Sequence, residues 1–515
     1  MSTPFFGEQF TFTNPDGSQI QVLGWGNQHY AVFEALDGHT IVKDPASGFY
    51  QYAELSADKN LLVPTGNVAG TVDPQALGLS PHIRIRRSAA KQAARSASAL
   101  GRQKRRWEVR LEQKKRQRMA TAQTRALAAP PPGATVGNYV GLCIMIDFPD
   151  IAGTIPRQQV NDYCNQVGYN GFGNNGSVLD YFNDVSDGKL TYTNVVTDYY
   201  TAAQNRSYYT DPSIAYGTRT RELILEALNN LVGQGFDFSS LSSDSGGFVY
   251  ALNVFYAGPV VNNWSEGLWP HSWGLATPFQ AAPGKKFSDY QITNVGSELT
   301  LGTFCHENGH MICDFPDLYD YGSESRGAGR YCLMAGGGSN KKNPAQVGAY
   351  LKNAAGWTTS ITPITSGISG AVTAGKNDFY IYDKNGTEYF IIENRQKQGR
   401  DVSLTDAGLA IWHIDESGSN NNEQMTPAMH YECSIEQADN QFDLENNANS
   451  GDAEDLFGAP LAVSFGDGTS PNSRWWDGSS SGLEINQISA PAPTMTFNVG
   501  TVSGSSFPVY FQTRL

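Results

Sequence analysis

The sequence predicts an α+β protein of several parts, with β-rich segments at its two ends and a mixed segment of helices and strands between them. Short apolar runs, alternating with polar residues and bounded by turn residues, fill residues 5–75 and recur after residue 361. From about residue 138, buried strand-like runs alternate with helix-type spacing of apolar residues. A chain of 515 residues is long enough for three or four compact units.

The first predicted domain, residues 1–80, is a small β domain. Its clearest element is the stretch FTFTNPDGSQIQVLGW, in which alternating apolar positions flank the turn Asn14-Pro15-Asp16-Gly17. Alternation of this kind places every second side chain on one face of a strand. We therefore expect short strands joined by turns.

Residues 81–134 are predicted to form a basic linker or helix. Between His82 and Arg125 the chain has 15 Lys and Arg residues and two acidic ones, a net charge of +13, whereas the remainder carries −27. A solvated helix, a cleavable connector to an inhibitory N-terminal domain and a segment that binds an anionic surface are the three interpretations. The acidic remainder argues against nucleic acid as a partner. The segment ends in AAPPPG, residues 128–133, where we place a domain boundary.

Residues 135–360 are predicted to form a mixed domain, and residues 361–515 a β-rich, sandwich-like domain. In the mixed domain, VGLCIMIDF and FVYALNVFYAG have the composition of buried strands, Ser177 can cap a helix, and YQITNV (290–295) suggests a short edge strand. The last domain contains the strand-like runs DFYIYD, EYFIIEN and GLAIWHID. No run reaches the 18 apolar residues of a membrane span, so we expect none.

The most specific motif is His306-Glu307-Asn308-Gly309-His310. Residues i and i+4 of a helix share a face, so both imidazoles can bind one metal ion while Glu307 reaches a metal-bound water. The structural alternative is a pair of core histidines satisfied by hydrogen bonds.

A catalytic zinc site needs a third protein ligand and an open position. Carboxylates follow the motif closely in CDFPDLYDYG, and a turn after His310 can bring one of them back to the metal. Pro316 rigidifies the chain directly before Asp317. Asp317 is therefore the first choice, with Asp320 second and Asp314 third.

These stretches resemble a known family. HENGHMICDFPDLYDYG (306–322) and GRYCLMAGG (329–337) resemble the immune-inhibitor-A-like metallopeptidases, peptidase family M6, which have a metzincin-type catalytic domain. GSVLDYFNDVSDGKL, LWPHSW, GLAIWHIDE, IEQADN and GDAEDLF also resemble family stretches, in the family's order. The resemblance covers most of the chain, including an N-terminal part that is similar to the family's propeptide region.

The resemblance implies a metzincin-like catalytic domain with the HExxH motif on its active-site helix. The residues it assigns are the zinc ligands His306, His310 and Asp317, the general base Glu307 and the Met-turn residue Met334, which packs beneath the zinc site. In the family spacing HExxHxxGxx(H/D), the third ligand would fall on Pro316 and a glycine on Cys313. Asp317 therefore implies a spacer that is one residue longer.

Two further features have both a site interpretation and a structural one. His271, in WPHSW, is either a further site residue or a structural histidine between two Trp. The acidic stretch from Asp439 to Asp455 offers the oxygen ligands that Ca²⁺ prefers but lacks EF-hand spacing. Both interpretations of this stretch, a calcium site and a solvated loop, are compatible with the sequence.

Together these observations predict a zinc-dependent endopeptidase that hydrolyses peptide bonds in proteins, is made as a proform and uses Glu307 to activate a zinc-bound water. A substrate peptide would run antiparallel to YQITNV. The alternatives are a non-catalytic adhesin-like or carbohydrate-binding module on the same fold and a metal-dependent amidase that acts on small substrates. Protein or peptide substrates, but no nucleic acid, are the expected partners of a monomer. The resemblance implies an extracellular protein, although the first thirty residues lack the pattern of a signal peptide.

Overall fold

The computed structural model describes residues 3–99, 105–121, 133–211, 213–260, 267–421 and 425–500. These residues form a mixed α+β structure with several sheets, which confirms the predicted fold class at that level. The chain divides into two compact units, residues 1–113 with 135–346 and residues 114–134 with 347–515. The N-terminal β segment and the mixed segment thus belong to the same unit, while the finer four-domain division stays a prediction.

The first unit begins with a six-stranded antiparallel sheet in which each strand pairs with the next. Its strands are β1 (Phe5–Thr13), β2 (Gln19–Gly26), β3 (Ala31–Ala35), β4 (Thr40–Lys43), β5 (Tyr50–Leu55) and β6 (Leu62–Val68). The predicted turn connects β1 and β2, where the Gly17 N–H donates to Asn14 O over 2.9 Å. Gly17 has a φ of +86°, a conformation that glycine adopts without strain.

Two helices occupy the basic segment, α1 (Arg87–Ala99) and α2 (Arg106–Thr121). The division between the two units falls within α2, after Gln113. Several side chains of this segment are buried, namely Lys91, Arg105, Trp107, Arg110 and Arg118. A solvated helix is therefore the wrong interpretation for these residues. The Pro-rich stretch at residues 128–132 lies outside the described residues.

The second sheet of the first unit belongs to the mixed segment. Its strands are β7 (Gly137–Asp147), β8 (Leu190–Thr201), β9 (Leu252–Ala257), β10 (His271–Ala282) and β11 (Lys285–Val295), in the order β10-β11-β9-β7-β8. All neighbours are parallel except β10 and β11, which are antiparallel. The prediction of an edge strand at YQITNV is wrong, because β11 pairs with β10 on one side and β9 on the other. At Tyr290–Ile292, β10 thus occupies the side on which a substrate peptide would pair.

Five helices accompany this sheet. They are α3 (Arg157–Asn165), α4 (Val178–Val185), α5 (Arg206–Tyr209), α6 (Thr218–Gly233) and α7 (Leu301–Cys313). The predicted cap of α4 is confirmed, because Ser177 Oγ accepts the Asp180 N–H and the Asp180 carboxylate accepts the Ser177 N–H. The apolar face of α6 is buried with the central strands in the main core of the unit.

A buried amide connects α7 to the sheet. Asn308 donates from Nδ2 to Asn253 Oδ1 on β9 over 2.9 Å, and it accepts at Oδ1 from the Tyr192 hydroxyl on β8 over 2.6 Å. Asn308 and Asn253 are fully buried. Because buried polar groups are costly unless they are hydrogen-bonded, this network selects one rotation of α7 about its own axis.

Besides the end of α2, the described residues of the second unit form one short α-helix and two sheets. The elements are α8 (Ala349–Ala354), β12 (Ser360–Pro363), β13 (Ser369–Thr373), β14 (Asp378–Asp383), β15 (Glu388–Arg395), β16 (Gly408–Asp415), β17 (Cys433–Ile435), β18 (Phe465–Gly466), β19 (Glu484–Asn486) and β20 (Thr494–Val499). The sheets have the orders β12-β14-β15-β16-β17 and β13-β20-β19-β18, and apolar side chains of both form one core. Among the described residues, no helix combines the length and apolar character that crossing a bilayer requires.

We expect Asn308→Ala to lower the free energy of unfolding by about 2 kcal/mol, because it removes the central member of a buried hydrogen-bond network. Urea denaturation measures the change. Asn229→Ala is the matched control, since Asn229 is exposed on α6, and it should change the value by less than about 0.5 kcal/mol. Equal stabilities of the two variants would show that the network does not hold α7.

Candidate active site

The HENGH motif lies on α7, and twelve of the thirteen residues of this helix are buried. The helix ends at Asp314, which has a φ of +59° and therefore reverses the direction of the chain. The Phe315 N–H donates to Gly309 O over 3.2 Å at this reversal. The returning chain brings Asp317 back to the histidine face of α7.

Three ligand atoms converge beside α7. The Nε2 atoms of His306 and His310 are 3.2 Å apart, and Asp317 Oδ1 lies 3.0 Å from the first and 3.2 Å from the second. All three residues are buried. The structure thus brings together the three residues that the sequence assigned to the metal, with Asp317 as the carboxylate.

Backbone carbonyl groups fix both imidazole rings. His306 Nδ1 lies 2.9 Å from Leu333 O, and His310 Nδ1 lies 2.5 Å from Phe315 O. A carbonyl oxygen only accepts, so each Nδ1 carries a proton and donates it. In the neutral rings, Nε2 then carries a lone pair that faces the other ligand atoms. This arrangement is typical of metal-binding histidines.

A cation among the three atoms would stabilise this arrangement. Two lone pairs and a carboxylate oxygen at about 3 Å repel one another unless a proton or a metal ion lies between them. The two imidazoles hold the pKa of Asp317 well below its usual range, although burial, the largest single influence, acts in the opposite direction. The Asp317 carboxylate likewise raises the pKa of His306 against burial.

The donor set fits zinc. Zinc in proteins prefers four-coordinate sites with nitrogen and oxygen ligands, and ligand atoms about 2.0–2.1 Å from a tetrahedral ion lie roughly 3.3 Å apart. The three observed separations are close to that value. Asp317 Oδ2 accepts a hydrogen bond from the Tyr321 hydroxyl over 2.7 Å, which fixes the carboxylate so that Oδ1 faces the histidines.

Glu307 is the unsatisfied group of the site. The residue is 1% exposed, and neither carboxylate oxygen has a hydrogen-bond partner. An unpaired buried carboxylate is costly, so its presence beside a metal-ligand group indicates a functional role. Proton transfer to or from a water molecule or substrate is the chemistry that a carboxylate can supply there.

Met334 packs directly against α7. It is fully buried, and a Cβ atom at Gly309 would lie only 2.9 Å from its Sδ atom. The Met334 carbonyl also accepts the Leu318 N–H over 2.8 Å, next to Asp317. Met334 therefore contributes by packing, as expected from the resemblance, and a glycine is needed at position 309 for this close approach.

The other candidates do not join the metal-ligand group. Asp320 is buried and accepts the Glu324 N–H over 3.1 Å; burial raises its pKa to about 7. Asp314 binds Arg110. His271 lies on β10, where Nδ1 contacts Trp269 O and Nε2 contacts the Tyr290 hydroxyl, and burial lowers its pKa to about 3.

The start of α2 covers the metal-ligand group. The Trp107 ring stacks on the His310 ring with 4.5 Å between centroids and an interplanar angle of 20°. The Arg105 guanidinium lies 4.6 Å from the centroid of the same Trp107 ring. His306 and His310 have no exposed surface in this state, so a polypeptide substrate cannot reach them.

The acidic stretch of the second unit holds a second group of carboxylates. Oxygen atoms of Asp439, Asp452 and Asp455 lie within 4.8 Å of one another. Protein donors already contact all three side chains: the Gln441 N–H donates to Asp439 Oδ1, Asn449 donates to Asp452 Oδ2, and the Asp452 N–H donates to Asp455 Oδ2. Calcium binding at this stretch stays a prediction.

No protein-family model matches the sequence, and no curated protein matches it either. The resemblance of its motifs to the M6 metallopeptidases therefore stays a prediction. The functional assignment rests on the geometry of the site.

Sequence reasoning missed two residues of the site. Tyr321 orients Asp317, and the only local signal is its place four residues later in PDLYDYG. Trp107 covers His310, and the signal for it is that Trp107 is the only aromatic side chain between His82 and Arg125.

We expect the protein to bind about one zinc ion per chain and Asp317→Asn to weaken its zinc affinity more than about 100-fold, since a ligand is lost. Asp320→Asn is the matched control and should change the affinity only a few-fold. Titration against a chromophoric chelator measures both. A larger loss of zinc affinity in Asp320→Asn than in Asp317→Asn would identify Asp320 as the third ligand. A protein that binds no zinc would contradict the metal site.

Proposed function

We propose that this protein is a zinc-dependent endopeptidase with a metzincin-like catalytic domain, made as a latent proform. The observation that carries the proposal is the convergence of His306, His310 and Asp317 next to a buried Glu307 whose oxygens have no partner. The resemblance to the M6 metallopeptidases supports the same activity and implies an extracellular protein.

Each residue of the site has its own role in the proposed reaction. His306, His310 and Asp317 would hold the zinc ion, which when bound acts as a Lewis acid that polarises a peptide carbonyl and makes a water molecule more acidic. Glu307 takes a proton from the attacking water and delivers it to the leaving amine. The carbonyl groups of Leu333 and Phe315 keep both imidazoles oriented, and burial keeps bulk water away from the carboxylate.

The contacts of α2 support latency. Besides the Trp107 ring on His310, the N–H groups of Arg106 and Trp107 donate to the Asp289 carboxylate over 2.8 and 3.0 Å. A carboxylate at a helix N-terminus satisfies unpaired N–H groups and interacts favourably with the helix dipole. The helix start is thus held over the ligands, and activity requires that it leave.

The alternatives explain less of the site. A non-catalytic binding module would gain nothing from a buried, unpaired Glu307, which is costly to maintain. An amidase for small substrates would not need a covering segment of this size. A guarded site fits an enzyme that attacks proteins, because premature activity would damage its surroundings.

We expect Glu307→Gln to keep about one zinc ion per chain and to lower casein hydrolysis about 100-fold or more, because the proton acceptor is lost. Metal analysis and a casein assay, both made in a Trp107→Ala background, measure the two properties. Glu298→Gln, on the exposed surface, is the control and should leave both unchanged. Full hydrolysis by the Glu307→Gln protein would exclude Glu307 as the base.

We expect Trp107→Ala to raise casein hydrolysis by the zinc-loaded full chain about tenfold or more. Truncating a buried Trp costs about 3 kcal/mol, and here the covered state alone loses that contact. Gln113→Ala, at an exposed position of the same helix, is the control. Wild-type activity in the Trp107→Ala protein would contradict inhibition by α2.

A further inference from the structure

Two arginine side chains at the start of α2 contact two carboxylates beside the metal-ligand group, and backbone N–H groups of the same segment contact a third. Arg106 donates to Asp244 Oδ2 over 2.9 Å, and Arg110 donates from Nε to Asp314 Oδ1 over 2.8 Å. Asp289 accepts the Arg106 N–H, and Arg110 also lies 3.7 Å from Asp244. We refer to Asp244, Asp289 and Asp314 as the carboxylate trio.

The carboxylate trio is assembled from separate parts of the first unit. Asp244 belongs to the turn before β9, Asp289 to β11 and Asp314 to the end of α7. All three side chains are at least nine-tenths buried. Like charges that are brought together away from water are costly, and a cationic partner offsets that cost. In the latent chain the two arginines supply it.

Each arginine also has an aromatic partner. The Arg106 guanidinium lies 4.2 Å from the centroid of the Phe248 ring, and that of Arg110 lies 4.7 Å from the centroid of the Tyr250 ring. Arg110 additionally donates from Nη2 to the Met311 carbonyl over 2.7 Å. A carboxylate with an adjacent aromatic face suits the flat guanidinium group better than the compact ammonium of lysine.

We propose that the carboxylate trio, with Phe248 and Tyr250, binds arginine side chains of the polypeptide substrate, and that Arg106 and Arg110 occupy this site in the latent chain. The inference rests on the proposed function and names the substrate class of that site. When the start of α2 leaves, Asp244 and Asp314 lose their guanidinium partners. A substrate with arginine restores these ion pairs, whereas a neutral substrate supplies no cationic group to the carboxylates.

The proposal also connects the site with the composition of the chain. The segment between His82 and Arg125 holds 15 Lys and Arg residues. An enzyme that prefers arginine-containing polypeptides accepts this segment of its own chain as a substrate. Self-cleavage of the basic segment and recognition of other substrates then depend on the same side chains.

Peptide binding to the full-length chain tests the proposal without relying on catalysis. The protein carries Arg106→Ala and Arg110→Ala, which remove both guanidinium groups from Asp244 and Asp314, together with Glu307→Gln. The probes are a fluorescein-labelled peptide RRWEVRLEQ, residues 105–113, and a copy with glutamine at its second and sixth positions. We expect the arginine peptide to bind about tenfold tighter in fluorescence anisotropy, since it makes two charge-assisted contacts that the copy lacks.

Two variants identify the carboxylates that are responsible. Asp244→Asn with Asp289→Asn should reduce the preference to about twofold or less. Asp198→Asn should leave it unchanged, because Asp198 is exposed on β8. Equal binding of the two peptides, or a preference that survives Asp244→Asn with Asp289→Asn, would overturn the proposal.

A second measurement covers the case in which the arginine variants do not fold. The Trp107→Ala chain, loaded with zinc, is given two peptide substrates that differ only by arginine or glutamine, and kcat/KM should favour arginine about tenfold. If the protein hydrolyses casein but has equal kcat/KM values for the two peptides, the inference is overturned and the proposed function stays intact. An arginine preference in binding without any hydrolysis would support the recognition site and contradict the proposed function.

Discussion

The buried side chain of Asn308 determines how the active-site helix faces the rest of the first unit. Successive residues of an α-helix are separated by about 100°, so Asn308 points roughly opposite to both His306 and His310. Its contacts with Asn253 and Tyr192 hold that face against the sheet. The two histidines must then face the returning chain after Asp314, where Asp317 and its Tyr321 partner complete the ligand group. The Asn308 amide thus favours the helix rotation in which the three candidate metal ligands lie together.

Charge explains why the basic segment is ordered at this place. A stretch of +13 in a chain whose remainder carries −27 is attracted to acidic surface in general, but general attraction does not position a helix. Arg106, Arg110 and the N–H groups at the start of α2 meet carboxylates of matching geometry. Long-range charge therefore favours the encounter, and short charge-assisted hydrogen bonds select the register in which Trp107 covers His310.

Local patterns in the sequence identified the parts of the site that depend on neighbours along the chain. The spacing of His306 and His310, the capping residue Ser177 and the choice of Asp317 needed only helix geometry and a turn. The covering of His310 by Trp107 joins residues about 200 positions apart, and no periodicity records it. The same limit explains the wrong prediction of an edge strand at YQITNV. The alternation of apolar residues in this stretch does not reveal that β10 pairs with it.

In the proposed latent state, the contacts of α2 would hold the site closed. Breaking a buried arginine–carboxylate pair costs about 3–5 kcal/mol. The Arg110–Asp314 pair is of this kind, whereas the Arg106–Asp244 pair is only partly buried. On the proposed function, the closed state would prevail while α2 belongs to the same chain, where its effective concentration is in the millimolar range. A cut in the basic segment would remove that advantage without breaking any contact directly, and a substrate with arginine would then compete for the same carboxylates. Proteolysis would thus be a more effective trigger than spontaneous opening.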